Sequence, residues 1–463
     1  MEYNNPSLFA AAALESAADL ALALTPHANT GHFDELRGAT STRPNAAEPA
    51  VSSAAPAALT GPLGIAGQAQ NQRMGAGPSQ SQSQSQSAAS PAASPASPAS
   101  PVAEAALAPA WNAFFTQLGA DGFGELNHRN ANLQRLIRDN GVTYNVYADA
   151  NGPQRPWALD LFPLLLSPDD WACIEKGVAQ RARLLDRIMA DVYGAQELPR
   201  LGLLPAALVQ GHPGYLRPMQ GIQPAGGKFL HIAAFDLARG PDGRWWVVSQ
   251  RTQAPSGLGY LLENRLSISL QFPEAFREMK VQRLAASYRA LVDGMKAACP
   301  QAGAPGTEPR IVLLTPGPYD ETYFEHAYLA RYLGLTLVEG SDLMVRDDRL
   351  YLKTLQGLEP VHGLLKRLDD EFLDPLELRS DSTLGVPGLL QVIRAGHVLV
   401  ANAPGSAFLE SPALLGFLPA SRASPPGKTC HWPWLSDTAK TRSMAERGEI
   451  FSPCQVGVCD SGR

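Results

Sequence analysis

Two neighbouring segments of the chain carry polar side chains that could meet at one point. Residues 229–239 form an apolar run that carries Asp236, and the glycines and aspartate at 240–243 favour a hairpin turn. Residues 245–251 predict a second strand, which runs into a Pro-Ser-Gly turn. A carboxylate on the first strand and a Glu-x-Asn set on the second would hold a magnesium ion. The second strand instead offers three other residues near its end: Ser249, Gln250 and Arg251.

Those three residues are poor ligands for a divalent cation. Serine and glutamine are weak neutral ligands, and Arg251 has no free lone pair and stays charged. Two like charges roughly 4 Å apart repel each other by about 4 kcal/mol even at a moderate dielectric constant. We therefore expect this hairpin to bind Mg²⁺ poorly, or in an unusual way. Two alternatives stay open: Arg251 could bind a phosphate or a carboxylate in the metal's place, or Asp236 could pair with Arg239 or Arg251.

Bulk properties exclude several classes of protein. The chain has 463 residues, enough for two or three domains, and its net charge of −6 gives no basic surface, so nucleic acid is not expected as a partner. Five cysteines are too few for a disulfide framework, and no apolar run reaches the roughly 18 residues of a membrane span. The N-terminus has no basic region before its Ala/Leu stretch, which predicts a cytoplasmic protein.

The middle of the chain predicts a parallel sheet covered by helices. Residues 310–315, 319–333 and 335–339 predict a strand, a helix and a second strand, which form one unit of such a sheet. Thr315 and Gly317 lie at the carboxyl end of the first strand, where open sheets usually bind ligands.

Several charged groups have a structural interpretation at this point. Ser167 and Pro168 predict the start of a long helix that ends before Gly194. Three arginines on it are interpreted as a solvated face: Arg181, Arg183 and Arg187. The charged run at 366–370 is interpreted as a surface ion-pair cluster, with binding of an acidic substrate as the alternative. His326 is interpreted as a structural histidine.

Two segments differ from the rest in composition. Residues 38–110 are of low complexity: positions 79–87 alternate Ser and Gln, and Ala, Ser and Pro then dominate to position 101. This predicts a disordered tether, because few large apolar residues offset the entropy of ordering. Residues 421–463 have no sustained apolar period and hold three of the five cysteines. We interpret them as an aberrant tail from a shifted reading frame; a genuine but divergent tail is the alternative.

The order of several motifs resembles one known family. The hairpin and its Pro-Ser-Gly turn are followed by Gly-Tyr-Leu-Leu-Glu-Asn-Arg at 259–265, and further strings match at 141–147, 155–160, 314–317, 323–327 and 384–388. The arrangement covers about 111–419 and is similar to the circularly permuted ATP-grasp family, type 2. Within that family the motif sequences are most similar to those of the long subfamily, in which a helical alpha-E-like domain normally follows.

The resemblance implies an α/β (α+β) fold of circularly permuted ATP-grasp architecture, with an incomplete nucleotide-binding half and a long disordered N-terminal segment. The implied domains are 1–37 as the N-terminal family start, 38–110 as the tether, 111–300 as the ATP-grasp half carrying the metal-site strands, 301–375 as a Rossmann-like pre-ATP-grasp unit, 376–420 as the start of the remaining ATP-grasp half, and 421–463 as the aberrant tail. On this comparison the chain looks truncated.

The resemblance also implies chemistry: ATP phosphorylates a carboxylate, and the acyl phosphate passes to an amine. Asp236 matches the first metal carboxylate, with Ser249 and Arg251 at the positions of its usual partners. The other implied roles are catalytic for Arg251, Glu263 and Arg265, cofactor-binding for Asn264, Ser256 and Gly257, and substrate-binding for Thr315, Gly317 and Glu325. The implied cofactors are ATP and Mg²⁺. The implied partners are a small-molecule or peptide carboxylate, and a helical alpha-E-like domain or a transglutaminase-like protein.

A nucleotide cradle is not evident in the sequence. ATP-grasp folds clamp the phosphates with a lysine-bearing strand and a glycine-rich loop, and neither Gly-x₄-Gly-Lys-Ser/Thr nor Gly-x-Gly-x-x-Gly occurs. We therefore expect little or no turnover from this chain alone. A non-catalytic fragment or partner module of a larger peptide-modification system is the alternative, and a binding protein for a small acidic ligand at the 315–317 loop is a third possibility.

Overall fold

A computed structural model describes residues 17–40, 106–144, 155–300, 308–418 and 454–455. Almost all of the predicted tether and of the predicted aberrant tail lies outside these ranges.

The helices are α1 (Ala17–Leu24), α2 (Pro109–Gly124), α3 (Leu126–Asp139), α4 (Pro168–Val192), α5 (Glu197–Arg200), α6 (Ala206–Gln210), α7 (Leu258–Gln271), α8 (Pro273–Glu278), α9 (Ala285–Ala298), α10 (Tyr323–Leu333) and α11 (Leu389–Arg394). The strands are β1 (Phe33–Asp34), β2 (Ala39–Thr40), β3 (Thr143–Tyr144), β4 (Arg155–Pro156), β5 (Ala234–Arg239), β6 (Trp245–Arg251), β7 (Ile311–Leu314), β8 (Thr336–Val338), β9 (Leu343–Arg346), β10 (Arg349–Thr354), β11 (Gly357–Val361), β12 (Gly363–Lys366), β13 (Leu399–Ala401) and β14 (Cys454–Gln455).

A four-stranded parallel sheet forms the centre of the molecule, in the order β13–β12–β7–β8. Side chains alternate between the two faces of a sheet along each strand. Both faces of this sheet are covered by an apolar core. Val312 and Leu314 of β7 face one apolar core, and Leu313 faces the other. A strand buried on both faces reads as a continuous apolar run, which is why β7 was recognisable from sequence.

The predicted strand–helix–strand unit is confirmed, with one difference at the start of the helix. The helix begins at Tyr323, four residues later than position 319. The Asp320 carboxylate accepts hydrogen bonds from both the backbone N–H and the hydroxyl of Thr322, at 2.8 and 2.7 Å. This local turn competes with helical hydrogen bonding and delays the helix.

The chain changes direction across the sheet at one point. From β7 it crosses through α10 to β8 on one side, and after the β9–β11 meander it returns to β12 on the other side of β7. Open parallel sheets usually bind ligands at such a switch point, outside the carboxyl ends of the strands. Here the residues that follow those ends are Thr315 after β7, Arg367 after β12 and Asn402 after β13. The sheet also includes β13, which lies beyond the predicted domain boundary at 375.

A separate helical layer packs beside this sheet. Helices α1, α2 and α3 share an apolar core with α7 and α8, built largely from aromatic rings. The short β1–β2 segment reaches the β5–β6 hairpin, where Arg239 binds Glu35 at 2.9 Å and lies 4.0 Å from the Phe33 ring. Residues 17–40, at the predicted family start, are thus fixed to the same hairpin that carries Asp236.

The predicted long helix is confirmed as α4. Ser167 caps it, since its hydroxyl accepts a hydrogen bond from the backbone N–H of Asp170 at 3.1 Å, and Pro168 occupies the first turn. Among the helices of the described ranges, including this one of 25 residues, none combines the length and apolarity that crossing a membrane requires.

Asn402 fastens the hairpin to the sheet. Its Oδ1 accepts hydrogen bonds from the backbone N–H groups of His231 and Ile232, at 2.7 and 2.9 Å. Its Nδ2 donates to the carbonyls of Ile232 and Thr252, at 2.6 Å each. One buried side chain therefore satisfies four main-chain groups on the approach to β5 and at the exit of β6.

We predict that Asn402→Ala lowers the free energy of unfolding by about 3 kcal/mol or more, because several buried polar groups lose their partners. Chemical denaturation measures this difference. Gln391→Ala is the matched control: Gln391 is an exposed amide bound to Asp348 at 2.6 Å, and its loss should change stability by less than about 0.5 kcal/mol. Equal effects of the two variants would contradict the role given to Asn402.

Candidate functional site

The β5–β6 hairpin separates its polar residues onto two faces. Asp236 lies opposite Ser249 and Ala234 lies opposite Arg251, so Arg251 is the diagonal neighbour of Asp236 on one face. That face is open to solvent. Gln250 points the other way and is buried.

The Asp236 carboxylate is already paired within the hairpin. Its Oδ2 accepts hydrogen bonds from Arg251 Nη2 at 3.0 Å and from the Ser249 hydroxyl, and the two ion-pair side chains are about half exposed. Of the alternatives for Asp236, the structure has the pair with Arg251; Arg239 binds Glu35 and Asp170 instead.

These residues do not fit a magnesium ion. Magnesium prefers several oxygen ligands in octahedral geometry, whereas β5 and β6 offer one carboxylate, a hydroxyl and a guanidinium. Elsewhere in the described ranges, no group of three His, Cys, Asp or Glu side chains is placed to hold a metal.

The residues of the Glu-Asn-Arg motif on α7 contact other elements. Glu263 is buried and accepts hydrogen bonds from Asn140 at 2.7 Å and Ser267 at 3.0 Å. The other two also bind outside the hairpin: Asn264 accepts from the Trp157 indole at 2.9 Å, and Arg265 donates to the carbonyl of Gln282 at 2.9 Å. The roles given to these three residues by resemblance stay predictions.

Glu325 and Gly257 are brought together, by a contact within the chain. The Glu325 carboxylate accepts hydrogen bonds from the backbone N–H groups of Gly257 at 2.8 Å and Gly259 at 3.1 Å, where α7 begins. A carboxylate there satisfies main-chain donors and complements the helix dipole. A Cβ at Gly259 would lie 2.7 Å from Glu325 Cγ, so only glycine permits this approach. Ser256, which directly precedes Gly257, is exposed.

Thr315, Gly317 and His326 form a second buried group. The Thr315 hydroxyl accepts from the Gly317 N–H at 3.2 Å and bonds His326 Nδ1 at 2.9 Å. Burial and the nearby positive charge of Arg367 lower the pKa of His326 to about 3, so the ring is neutral at neutral pH. These contacts agree with a structural histidine.

The surface interpretation of the 366–370 run is wrong for its two cations. Lys366 is 1% exposed, and its ammonium donates to Asp370 at 2.6 Å, to the Gln253 carbonyl at 2.7 Å and to the Leu368 carbonyl at 3.2 Å. Arg367 is 5% exposed, and its Nη1 donates to the Pro255 carbonyl. The missed signal is position: a Lys-Arg pair at the end of an apolar parallel strand lies at the sheet's carboxyl edge.

The solvated-face interpretation also fails for one of the three arginines of α4. Arg183 and Arg187 are exposed, as predicted, but Arg181 is buried. Its Nε donates to Gln250 Oε1 at 2.7 Å, and Gln250 Nε2 donates to the Leu409 carbonyl at 2.6 Å. The buried partner of Arg181 is Gln250 on β6, and the helical periodicity of α4 alone gives no sign of that contact.

A series of contacts therefore fixes the segment from Gln250 to Gly257. Thr252 and Gln253 both donate backbone N–H groups to Glu410 Oε1, at 2.6 Å each. Lys366, Arg367 and Glu325 then hold the next residues from the side of the sheet. The candidate site consists of the exposed hairpin face at one end of this segment and the carboxyl edge of the parallel sheet at the other.

We predict that Lys366→Met lowers the free energy of unfolding by about 3–5 kcal/mol, because it leaves Asp370 buried without its cation. Chemical denaturation gives the value. Arg379→Met is the control, since it breaks only exposed pairs with Asp381 and Glu371 and should have a much smaller effect. A small effect of Lys366→Met would show that the buried pair does not hold the site together.

We predict that His326 makes stability fall on acidification. The histidine binds a proton in the unfolded chain below about pH 6.5 but stays neutral in the native state down to about pH 3, so protonation favours unfolding. Between about pH 6.5 and 5, this contributes a loss of roughly 1.5–2 kcal/mol. His326→Gln should remove that part of the pH dependence, as measured by denaturation at several pH values. Parallel curves for the two proteins would contradict a neutral buried histidine.

Comparison with known proteins shows which family the chain resembles. The sequence profile of the circularly permuted ATP-grasp type 2 family matches residues 163–423, more than half of the chain. An uncharacterized protein of Synechocystis is 37% identical over 294 residues, which cover 64% of this chain and 60% of that protein. An uncharacterized protein of Mycobacterium tuberculosis is 39% identical over 319 residues, which cover 67% of this chain and 36% of the relative.

The chain thus spans 60% or less of the length of these relatives. Among solved structures, the apo form of a glutathione synthetase-like effector from Globodera pallida aligns with a TM-score of 0.42 and 14% identity, over 70% of this chain and 69% of the effector. With the profile match covering α4 through the end of the parallel sheet, the chain belongs to the circularly permuted ATP-grasp type 2 family.

Proposed function

We propose that this protein is an ATP-grasp ligase of the carboxylate–amine class that acts through an acyl phosphate, and that this chain has little or no turnover by itself. Family membership supports the ligase-like chemistry, and ATP and Mg²⁺ are the cofactors that the family generally uses. The observation that carries the proposed impairment is the contact between Asp236 and Arg251, since it places a cation where the chemistry requires a metal.

The Arg251 guanidinium can itself supply the positive charge that binds an anion. Its side chain is 56% exposed, and an exposed ion pair contributes only about 0–1 kcal/mol, so the guanidinium can leave Asp236 at little cost. A guanidinium pairs bidentately with a phosphate or a carboxylate. Any nucleotide bound at this face would therefore be held through arginine, with weak dependence on a divalent cation.

The remaining elements of the proposal concern context. The acceptor would be a small-molecule or peptide carboxylate, and the setting would be a cytoplasmic peptide-modification system that includes a helical alpha-E-like domain or a transglutaminase-like protein. In the alternative, this chain is a non-catalytic module of that system, and the already paired Asp236 favours it.

The test is calorimetric titration of the chain with ATP, with and without Mg²⁺, for the wild type and for the double variant Ser249→Glu/Arg251→Asn. In the wild type we expect weak ATP binding that Mg²⁺ does not strengthen. The double variant should acquire divalent-cation binding, which electron paramagnetic resonance with Mn²⁺ detects directly, because two oxygen ligands then join Asp236 and the repelling cation is gone.

Arg244→Asn is the matched control, because Arg244 lies in the same hairpin and pairs with exposed Asp242. It should leave Mn²⁺ and ATP binding unchanged. Tight Mg²⁺-dependent ATP binding or release of ADP by the wild type would refute the proposed impairment. Complete absence of ATP binding by the wild type would favour the non-catalytic module.

A further inference from the structure

The guanidinium of Arg367 has one unsatisfied edge. Nη1 donates to the Pro255 carbonyl, whereas Nε and Nη2 are buried and have no hydrogen-bond partner in the part of the chain that the structure describes. The Nε–H group and one Nη2–H group project side by side from the planar guanidinium. This is the edge with which arginine makes two parallel hydrogen bonds to a carboxylate or a phosphate.

Leaving this edge empty is unfavourable. A buried donor without a partner costs about 1–3 kcal/mol, and the cost is higher when the group is charged. Arg181 provides a comparison within the same molecule. It is also buried and has one unpaired nitrogen, Nη2, but its Nε is bound to Gln250, so it offers no double-donor edge.

Arg367 also lies where the topology favours a ligand. Its backbone N–H donates to the Leu314 carbonyl at 2.9 Å, which places it beside the 315–317 loop at the switch point between β7 and β12. Helix α10, of 11 residues, begins close by, and the positive end of its dipole favours an anion.

The charges that face Arg367 do not neutralise it by contact. Lys366 is bound to Asp370, and His326 is neutral. Burial lowers the pKa of Arg367, and the charge of Glu325 opposes this through space. Both oxygens of Glu325 accept hydrogen bonds from the main chain at the start of α7, and none from Arg367 is among them. The guanidinium thus keeps a directed positive charge in a buried position, where a charge-assisted hydrogen bond is strong.

We propose that Arg367 binds an oxyanion, a carboxylate or a phosphoryl group, through its Nε and Nη2 edge at the carboxyl end of β12. This site deepens the proposed function and rests on it for the source of the anion, which is either the substrate carboxylate or a phosphate. Its contacts differ from those of the hairpin face: Arg367 binds the Pro255 carbonyl, whereas Arg251 binds Asp236.

The experiment follows the thermal unfolding midpoint of the whole chain during titration with inorganic phosphate and, separately, with L-glutamate. Sodium chloride at the same ionic strength corrects for screening. We expect a saturable rise of the midpoint with one of the two anions, because a ligand that binds only the native state stabilises it. The anion that saturates identifies the source. Arg367→Lys should weaken binding by about tenfold or more, since lysine keeps the charge and loses the two-donor edge.

Arg181→Lys is the control, and it should lower the starting midpoint while leaving the anion response unchanged. No saturable response in the wild type, or an equal response in Arg367→Lys, would overturn the proposal and indicate that a water fills the edge. If Arg367→Lys does not fold, ¹⁵N NMR of arginine Nε–H groups in the wild type decides: the Arg367 signal must move with the anion while that of Arg181 stays. ATP and Mg²⁺ are absent throughout, so this result and the ATP titration can fail independently.

Discussion

The structure depends on a lysine ammonium buried at the carboxyl edge of a parallel sheet. A charge at 1% exposure is stable only when oxygens replace the water it has lost, and Lys366 finds three of them. These acceptors come from the segment after the hairpin, from the residues after β12 and from Asp370. The other oxygen of Asp370 accepts from the backbone N–H of Gly405 at 2.8 Å, so the same pair also holds the turn after β13.

This arrangement explains how the hairpin can change its surface chemistry without losing its place. Alternation along β6 sends Gln250 inward, where it links Arg181 to the Leu409 carbonyl, and leaves Ser249 and Arg251 outside. The inward residue and Asn402 carry the attachment to the rest of the fold. The outward pair carries only an exposed ion pair of low energetic weight. Ligand chemistry on that face is therefore free to vary independently of stability.

Much of the fold was predictable because its signals are local. The apolar run at 311–314, the capped start of α4 and the glycine turn at 240–243 each follow from a few adjacent residues, and all occur as predicted. The burial of Lys366, Arg367 and Arg181 was not predictable in the same way. Each has a partner 69 to 113 residues away in sequence, although Lys366 also binds Leu368 and Asp370 nearby, and composition gives a charged residue a surface position by default. The site residues on α7 show the same limit, because a motif's order does not tell which way its side chains point.

The cations of the site differ in whether their hydrogen-bond donors are available to a ligand. Lys366 has all of its donors engaged in a buried network, so recruiting it for a ligand would leave Asp370 unpaired at a cost of several kcal/mol. Arg251 can exchange Asp236 for another anion almost freely, and Arg367 has two donors that no described residue uses. Of these cations, the two arginines can therefore supply positive charge to an anion, Arg251 on the hairpin face and Arg367 at the sheet edge. A planar group with paired donors suits carboxylates and phosphates, the two anions that an acyl-phosphate reaction brings together.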